Sequence, residues 1–187
     1  MSYLLSALIA ASRHFINPAS TFTCSPDATI PPIKFLEPTD MECKVSWFDG
    51  MSFLAETGSG HLVAMDGAPE AGGKNLAPRP MELVLAGTGG CTAFDVVMIL
   101  KRGRQDISAC DVKLSAERAE NDPKVFTRIH LHFVLTGKGL KPEAVERAIK
   151  LSAERYCSAS IMLGKTAEIT HDWEIIEGRT AGSAARC

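Results

Sequence analysis

Residues 80–102 read PMELVLAGTGGCTAFDVVMILKR and set the expectations for the rest of this chain. Pro80 suits the first position of a helix, because its missing N–H needs no partner there. Up to Lys101, the charged residues of the stretch are Glu82 and Asp95 alone. The pattern therefore predicts a helix that is apolar around its whole circumference, and such a helix must be covered on every side.

Short strands joined by tight turns are predicted before this helix. Asp49-Gly50 and Gly58-Ser59-Gly60 are typical hairpin connections. They separate three predicted strands, at 42–48, 51–56 and 60–65. Residues 66–79 are rich in Gly, Pro and Ala and are predicted to form a loop.

Two long strands, a second helix and a last strand are predicted after residue 102. Apolar residues alternate with polar ones in two stretches: Val112, Leu114 and Ala116, then Ile129, Leu131, Phe133 and Leu135. A second helix is predicted at about 142–164. Its apolar row at i+4 spacing places Cys157 on the inner face: Val145, Ile149, Ala153, Cys157 and Ile161. The last strand is predicted at about 167–176.

The predicted order β-β-β-α-β-β-α-β indicates an α+β fold rather than a doubly wound parallel sheet. One such chain has few elements with which to enclose an entirely apolar central helix. A homodimer in which two central helices lie together would enclose it, so the pattern predicts a dimer. Residues 41–176 are predicted to be the folded domain. Residues 177–187 are predicted to be a tail rich in small residues.

Residues 1–40 differ from the rest, because they contain half of the ten prolines. They are predicted to be a poorly ordered extension, either a true tail or an upstream continuation of a reading frame that starts at Met41. The apolar run 4–12 is too short to cross a membrane and has no preceding basic residue, which argues against a signal peptide. The expected location is therefore the cytoplasm.

Composition excludes several classes of partner. The 187 residues carry a net charge of −2 and 6% aromatic residues, so neither nucleic acid nor a membrane surface is expected to bind. Gly58-Ser59-Gly60-His61 has no helix after it and does not predict a phosphate-binding loop. No cofactor is expected.

Six cysteines are present, at positions 24, 43, 91, 110, 157 and 187, without a CxxC pair, so no metal site is expected. His130 and His132 share one face of a strand, but no third ligand is evident in the sequence. Cys91 follows three glycines that would let a ligand or another sulfur approach. The same glycines would equally allow tight helix packing around an inert thiol.

The stretch from Pro80 to Thr92, together with Arg155-Tyr156-Cys157-Ser158 about 65 residues later, resembles the OsmC/Ohr superfamily of osmotically inducible and organic hydroperoxide resistance proteins. The resemblance covers roughly residues 41–176 and is greatest to the YhfA-like branch. It implies an intertwined homodimer with central helices enclosed by β-sheets. It also implies a peroxidase in which Cys91 attacks an organic hydroperoxide, Cys157 closes a disulfide and an external dithiol reduces it.

The sequence departs from the family pattern around these cysteines. Residues 47–52 contain no arginine where active members have one near the first hairpin. Met81 stands where the family has a glutamate, so Glu82 is the candidate for that catalytic role, and Arg79 is the nearest basic residue. These departures motivate an alternative, a non-catalytic dimer of the same fold that binds an apolar small molecule or a partner.

Overall fold

The computed structural model describes residues 41–178. In this part of the chain six strands form two three-stranded sheets beside three α-helices. The strands are β1 Cys43–Asp49, β2 Ser52–Thr57, β3 Leu62–Met65, β4 Asp106–Arg118, β5 Phe126–Lys138 and β6 Glu168–Glu177. The helices are α1 Pro80–Arg102, α2 Pro142–Leu151 and α3 Ser158–Leu163. The predicted α+β class is confirmed, whereas the predictions for residues 1–40 lie outside the described residues.

The first sheet is an antiparallel meander of β1, β2 and β3 with much apolar surface exposed. Every residue of β1 is exposed, including Trp47 and Phe48 at 68% and 82%. Across the sheet, Leu62 on β3 is exposed as well. An isolated three-stranded sheet needs an apolar face packed against something to be stable, so this sheet lacks part of its cover in one chain.

The second sheet pairs β4 antiparallel and β6 parallel to the central strand β5. The period-2 pattern predicted for β5 is confirmed, because Ile129, Leu131, Phe133 and Leu135 are all buried. They form one core with Val96 and Leu100 of α1 and with apolar residues of α2. β6 ends at Glu177, one residue beyond the predicted domain boundary.

Helix α1 is buried along one stripe and open along another. It packs on β4, α2 and α3 through an inner stripe that contains Thr88, Thr92, Asp95, Val96 and Leu100. At Gly89 an added Cβ would come within 2.6 Å of Leu114, so this glycine permits close packing on β4. The opposite stripe includes Val84, Gly87, Gly90 and Phe94 and is exposed. By length and hydropathy α1 could also cross a membrane, a property shared by core helices of soluble proteins.

The second helix is interrupted, which corrects the predicted continuous helix at 142–164. A turn of π-helix at Ser152–Tyr156 follows α2, and Cys157 then adopts an extended conformation before α3 begins. The predicted apolar row holds for Val145, Ile149 and Cys157, which are buried. The π-turn shifts the phase of the helix, so Ser152 is buried while Ile161 is 39% exposed.

Asp66 organises the loop between β3 and α1. Its side chain is 1% exposed and accepts hydrogen bonds from the backbone N–H groups of Gly67, Lys74 and Leu76. The Ser52 hydroxyl on β2 donates a fourth. The Leu76 amide, helped by the other three donors, lowers the pKa of Asp66 against the opposing effect of burial.

We expect Asp66→Asn to lower the midpoint of thermal unfolding at pH 7, because an amide group cannot accept from four donors at once. The wild type gains this stability fully above the pKa of an unfolded aspartate, about 3.9, and loses it as pH falls through the lower folded value. Thermal melts from pH 7 to pH 3 should therefore converge for the two proteins. Asp111→Asn, at an exposed strand position, is the control, and curves that stay parallel would contradict the assignment.

Candidate thiol site between α1 and α3

The structure brings Cys91 and Cys157 together, although 66 positions separate them in the sequence. The two sulfur atoms and a carboxylate oxygen of Asp95 all lie within 4.8 Å of one another. Cys91 and Asp95 share one face of α1, because they are four residues apart. Cys157 lies at the break before α3, and it is fully buried while Cys91 is half-buried.

Hydrogen-bond donors surround the sulfur of Cys157. The hydroxyl of Ser160 lies 3.2 Å from Sγ and its backbone N–H 3.4 Å from it. The Thr92 hydroxyl lies 3.3 Å from Sγ and 2.9 Å from the carbonyl oxygen of Thr88. A hydroxyl has one proton, so Thr92 can accept from the thiol while it donates to Thr88, or turn and donate to a thiolate.

These contacts make the two thiols unequal acids. Burial raises the pKa of Cys157, but donors on Ser160, Thr92 and Cys91 outweigh it and leave that pKa below the usual value. Burial also raises the pKa of Cys91, and the neighbouring Cys157 and the Asp95 carboxylate raise it further against one N–H from Ala159. Within one chain, Cys157 is therefore the more acidic of the two thiols.

Asp95 connects the thiols to the π-turn. Its carboxylate is 8% exposed and accepts a hydrogen bond of 3.1 Å from the buried Ser152 hydroxyl. Among residues 41–178, no lysine, arginine or histidine forms an ion pair with it. The negative charge of Asp95 raises the pKa of Cys91.

Glu82 lies at the start of α1 rather than beside the thiols in this chain. Its carboxylate accepts a 2.9 Å hydrogen bond from the backbone N–H of Arg79 and caps the helix. Nine residues of helix separate Glu82 from Cys91, about 13 Å of rise. A single chain does not place Glu82 beside the sulfur atoms, so its catalytic role stays a prediction, as does any role of Arg79, the nearest basic residue.

The histidine pair on β5 gains acidic neighbours from β6. His132 lies 2.5 Å from the Asp172 carboxylate, and the Nε2 atoms of His130 and His132 lie 3.5 Å from Asp172 and Glu174 respectively. The hydrogen bond to Asp172 raises the pKa of His132. The parallel pairing of β5 with β6 places Asp172 and Glu174 beside the histidines, a proximity that the sequence alone does not predict. The cluster is on an exposed sheet face, apart from the thiols.

A family profile described as "OsmC-like protein" matches residues 72–172. Protein YhfA of Escherichia coli K12 is 52% identical over 136 residues, covering 73% of this chain and 98% of that protein. The chain belongs to the OsmC superfamily, in its YhfA-like branch. The suspected resemblance is thereby confirmed.

Solved OsmC-fold structures agree with the architecture. A hypothetical protein from Aquifex aeolicus shares 30% identity and a TM-score of 0.66, covering 75% of this chain and 98% of that one. An organic hydroperoxide resistance protein from Legionella pneumophila shares 16% identity and a TM-score of 0.56, covering 72% and 96%. At that identity the likeness concerns the fold alone.

Thr92 and Ser160 belong to this OsmC-like site, although the sequence reading singled out neither. Thr92 directly follows Cys91 and would be on a different face of the helix, and Ser160 is three residues after Cys157. The sequence signal for Ser160 is a serine or threonine three positions after the residue that caps a helix. The backbone N–H at that position faces the capping side chain.

We expect Ser160→Ala to raise the pKa of Cys157, because it removes a hydroxyl donor to the thiolate while leaving the backbone unchanged. Thiolate absorbance in the ultraviolet, followed against pH in a chain whose other five cysteines are replaced by serine, measures this pKa directly. Ser158→Ala, at an exposed position of the same helix, is the matched control and should leave the curve in place. Identical curves for Ser160→Ala and its parent would contradict the assigned role of the hydroxyl.

Proposed function

We propose that this chain is a thiol-dependent peroxidase that reduces organic hydroperoxides in the cytoplasm, acting through Cys91 and Cys157. The observation that carries the proposal is the approach of the two sulfurs at a buried helix contact. A disulfide needs an S–S length of about 2.05 Å, so one cysteine must move inward on oxidation. Cys157 lies at a break between a π-turn and α3, where the backbone is not held by a continuous helix.

The proposed reaction follows from the difference in pKa between Cys91 and Cys157. As Cys91 attacks the terminal oxygen of ROOH, its S–H proton passes to the Cys157 thiolate. The O–O bond breaks, Cys91 becomes a sulfenic acid, and the alkoxide takes a proton and leaves as ROH. Cys157 then attacks the Cys91 sulfur, forming the disulfide and releasing water. Overall, two thiols and ROOH give a disulfide, ROH and water, and an external dithiol restores the thiols.

The proposed active form is a homodimer. The open stripe of α1 and the uncovered first sheet leave large apolar surfaces in one chain, above all Trp47, Phe48 and Phe94. Surfaces of this kind mark protein interfaces in soluble proteins. A second copy that lies against α1 would cover them and exclude water from Cys91. It is also the available source of a cation or of Glu82 near the thiols.

The alternative is a non-catalytic dimer that binds an apolar small molecule. Two observations favour it: the raised pKa of Cys91 and an apolar cleft beside the first hairpin. The cleft, of about 340 Å³, is lined chiefly by Phe48, Phe53, Leu54, Met65 and Leu76. A thiol titration separates the two functions, because a peroxidase needs one thiolate of the pair at neutral pH and a binding protein does not.

We expect the reduced wild-type protein to consume cumene hydroperoxide in the presence of a dithiol, and Cys91→Ser to abolish turnover. Cys157→Ser should slow the attack, because the proton acceptor for the Cys91 thiol is lost, and without dithiol it should leave Cys91 as a sulfenic acid, since no disulfide forms. Cys110→Ser removes a half-buried thiol elsewhere in the fold and is the control. A wild-type protein without turnover, under conditions where both thiols are reduced, would refute the enzymatic function.

We expect Gly90→Leu to weaken the dimer by more than tenfold in dissociation constant. In one chain a Cβ at position 90 has no neighbour within 4 Å, and leucine favours a helix over glycine by roughly 1 kcal/mol, so the chain itself should fold. A leucine between two closely packed α1 helices would clash. Sedimentation equilibrium measures the association, with Arg147→Leu on the exposed side of α2 as control. A wild-type mass near 20.1 kDa would refute the dimer.

A further inference from the structure

We propose that Cys91, Asp95 and Cys157 form a binding site for a thiophilic divalent metal ion such as Zn²⁺. The sequence predicts no metal site, because no two cysteines are closely spaced. The fold nevertheless collects two sulfurs and a carboxylate oxygen within 4.8 Å of one another, from α1 and from the break before α3. Among the described residues, this is the one group of three such ligands that the geometry brings together.

The charge of the site favours a cation. Asp95 is 8% exposed, and its carboxylate oxygens receive one hydrogen bond, from the neutral Ser152 hydroxyl. No basic side chain among residues 41–178 pairs with it. Buried carboxylates are ordinarily paired with a cation or bound to a metal. A divalent ion would compensate the negative charge of the carboxylate and of the two thiolates that bind it.

The donor set and its spacing suit Zn²⁺. Cysteine sulfur binds zinc at about 2.3 Å and carboxylate oxygen at about 2.0–2.2 Å, so tetrahedral donors lie roughly 3.5–3.8 Å apart. Donors already within 4.8 Å need a contraction of at most about 1.3 Å to reach that spacing. Three protein ligands leave a fourth position for water, the pattern of open zinc sites.

Neighbouring hydroxyls would hold the ligands in orientation. Ser160 and Thr92 lie 3.2 Å and 3.3 Å from the Cys157 sulfur, and Ser152 lies 3.1 Å from Asp95. Hydrogen bonds to the ligands from residues around a metal fix their geometry and affect affinity. On binding, the ion takes the place of any thiol proton still on the two sulfurs, which is released to solvent, and no electrons are transferred.

Metal binding and the peroxidase reaction would exclude each other, a consequence that rests on the proposed function. Each cysteine sulfur either binds the ion as a thiolate or forms the disulfide. Zinc would therefore hold the reduced pair in an unreactive state, and loss of the ion would release both thiols for attack.

The metal site is tested with Co²⁺, which reports tetrahedral thiolate coordination in its absorption spectrum. The full chain carries Cys24→Ser, Cys43→Ser and Cys187→Ser and is reduced and metal-free. We expect one Co²⁺ per chain, with a thiolate-to-cobalt charge-transfer band, and competition by Zn²⁺. Cys110→Ser should keep the band, whereas Cys91→Ser and Cys157→Ser should each lose it.

Asp95→Asn tests the third ligand, since it keeps the size of the side chain and an acceptor for Ser152 while removing the charge. Its Co²⁺ affinity should fall more than tenfold with an unchanged circular dichroism spectrum. An unchanged affinity overturns the three-ligand site, and so does the absence of a charge-transfer band in the reduced parent. A band that survives both cysteine substitutions overturns the assignment as well.

The exclusion between metal and disulfide is tested in a single turnover without external dithiol. Reduced protein with or without one equivalent of Zn²⁺ receives one equivalent of cumene hydroperoxide, and free thiols are counted over time. Zinc should slow thiol loss more than tenfold, and a chelator should restore it. Equal rates overturn the exclusion. If the metal-free protein itself fails to react, the proposed function fails, while the Co²⁺ spectra still decide the metal site.

Discussion

The burial of one long apolar helix is the constraint on which this architecture depends. Helix α1 presents apolar residues around its circumference, yet a single chain covers one stripe of it with β4, α2 and α3. The contact with α3 is also the place where the two cysteines meet. The thiol site is therefore a product of helix packing, and its residues are placed by the same contacts that bury the core.

The interruption of the second helix places hydrogen-bond donors beside the Cys157 sulfur at this packing contact. In a continuous helix, Ser160 would be nearly one turn beyond Cys157 with its N–H bonded to an earlier carbonyl. Because α3 starts at Ser158, the N–H of Ser160 faces Cys157 Sγ instead. The backbone N–H of Ala159 lowers the pKa of Cys91, against the effect of burial.

Most of the fold could be predicted from the sequence, because the period of the hydrophobic pattern identifies each element and Pro80 marks the start of α1. The approach of Cys91 to Cys157 was suggested by their inner positions and by the family resemblance. The π-turn could not be predicted, since residues 152–156 continue an acceptable helical pattern. The acidic neighbours of His130 and His132 were missed because strand pairing is not encoded in local periodicity. The lowered pKa of Cys157 was missed because the donors on Ser160 reach its sulfur through the break before α3, and because Thr92 is 65 residues away in the sequence.

Two neighbouring glycines on α1 have different surroundings. A methyl group at position 89 would meet Leu114 of the same chain, whereas one at position 90 would meet nothing within 4 Å there. A side chain at position 89 would therefore displace Leu114 within the same chain, whereas one at position 90 would extend into the space beside the outer stripe, where the proposed second copy would lie. Substitutions along α1 should therefore affect either the folding of the chain or the proposed association, and the two effects should alternate with the 3.6-residue period of the helix. Two copies of a duplicated gene could thus acquire different partners through substitutions on the outer stripe of α1, while the residues of the inner stripe stay the same.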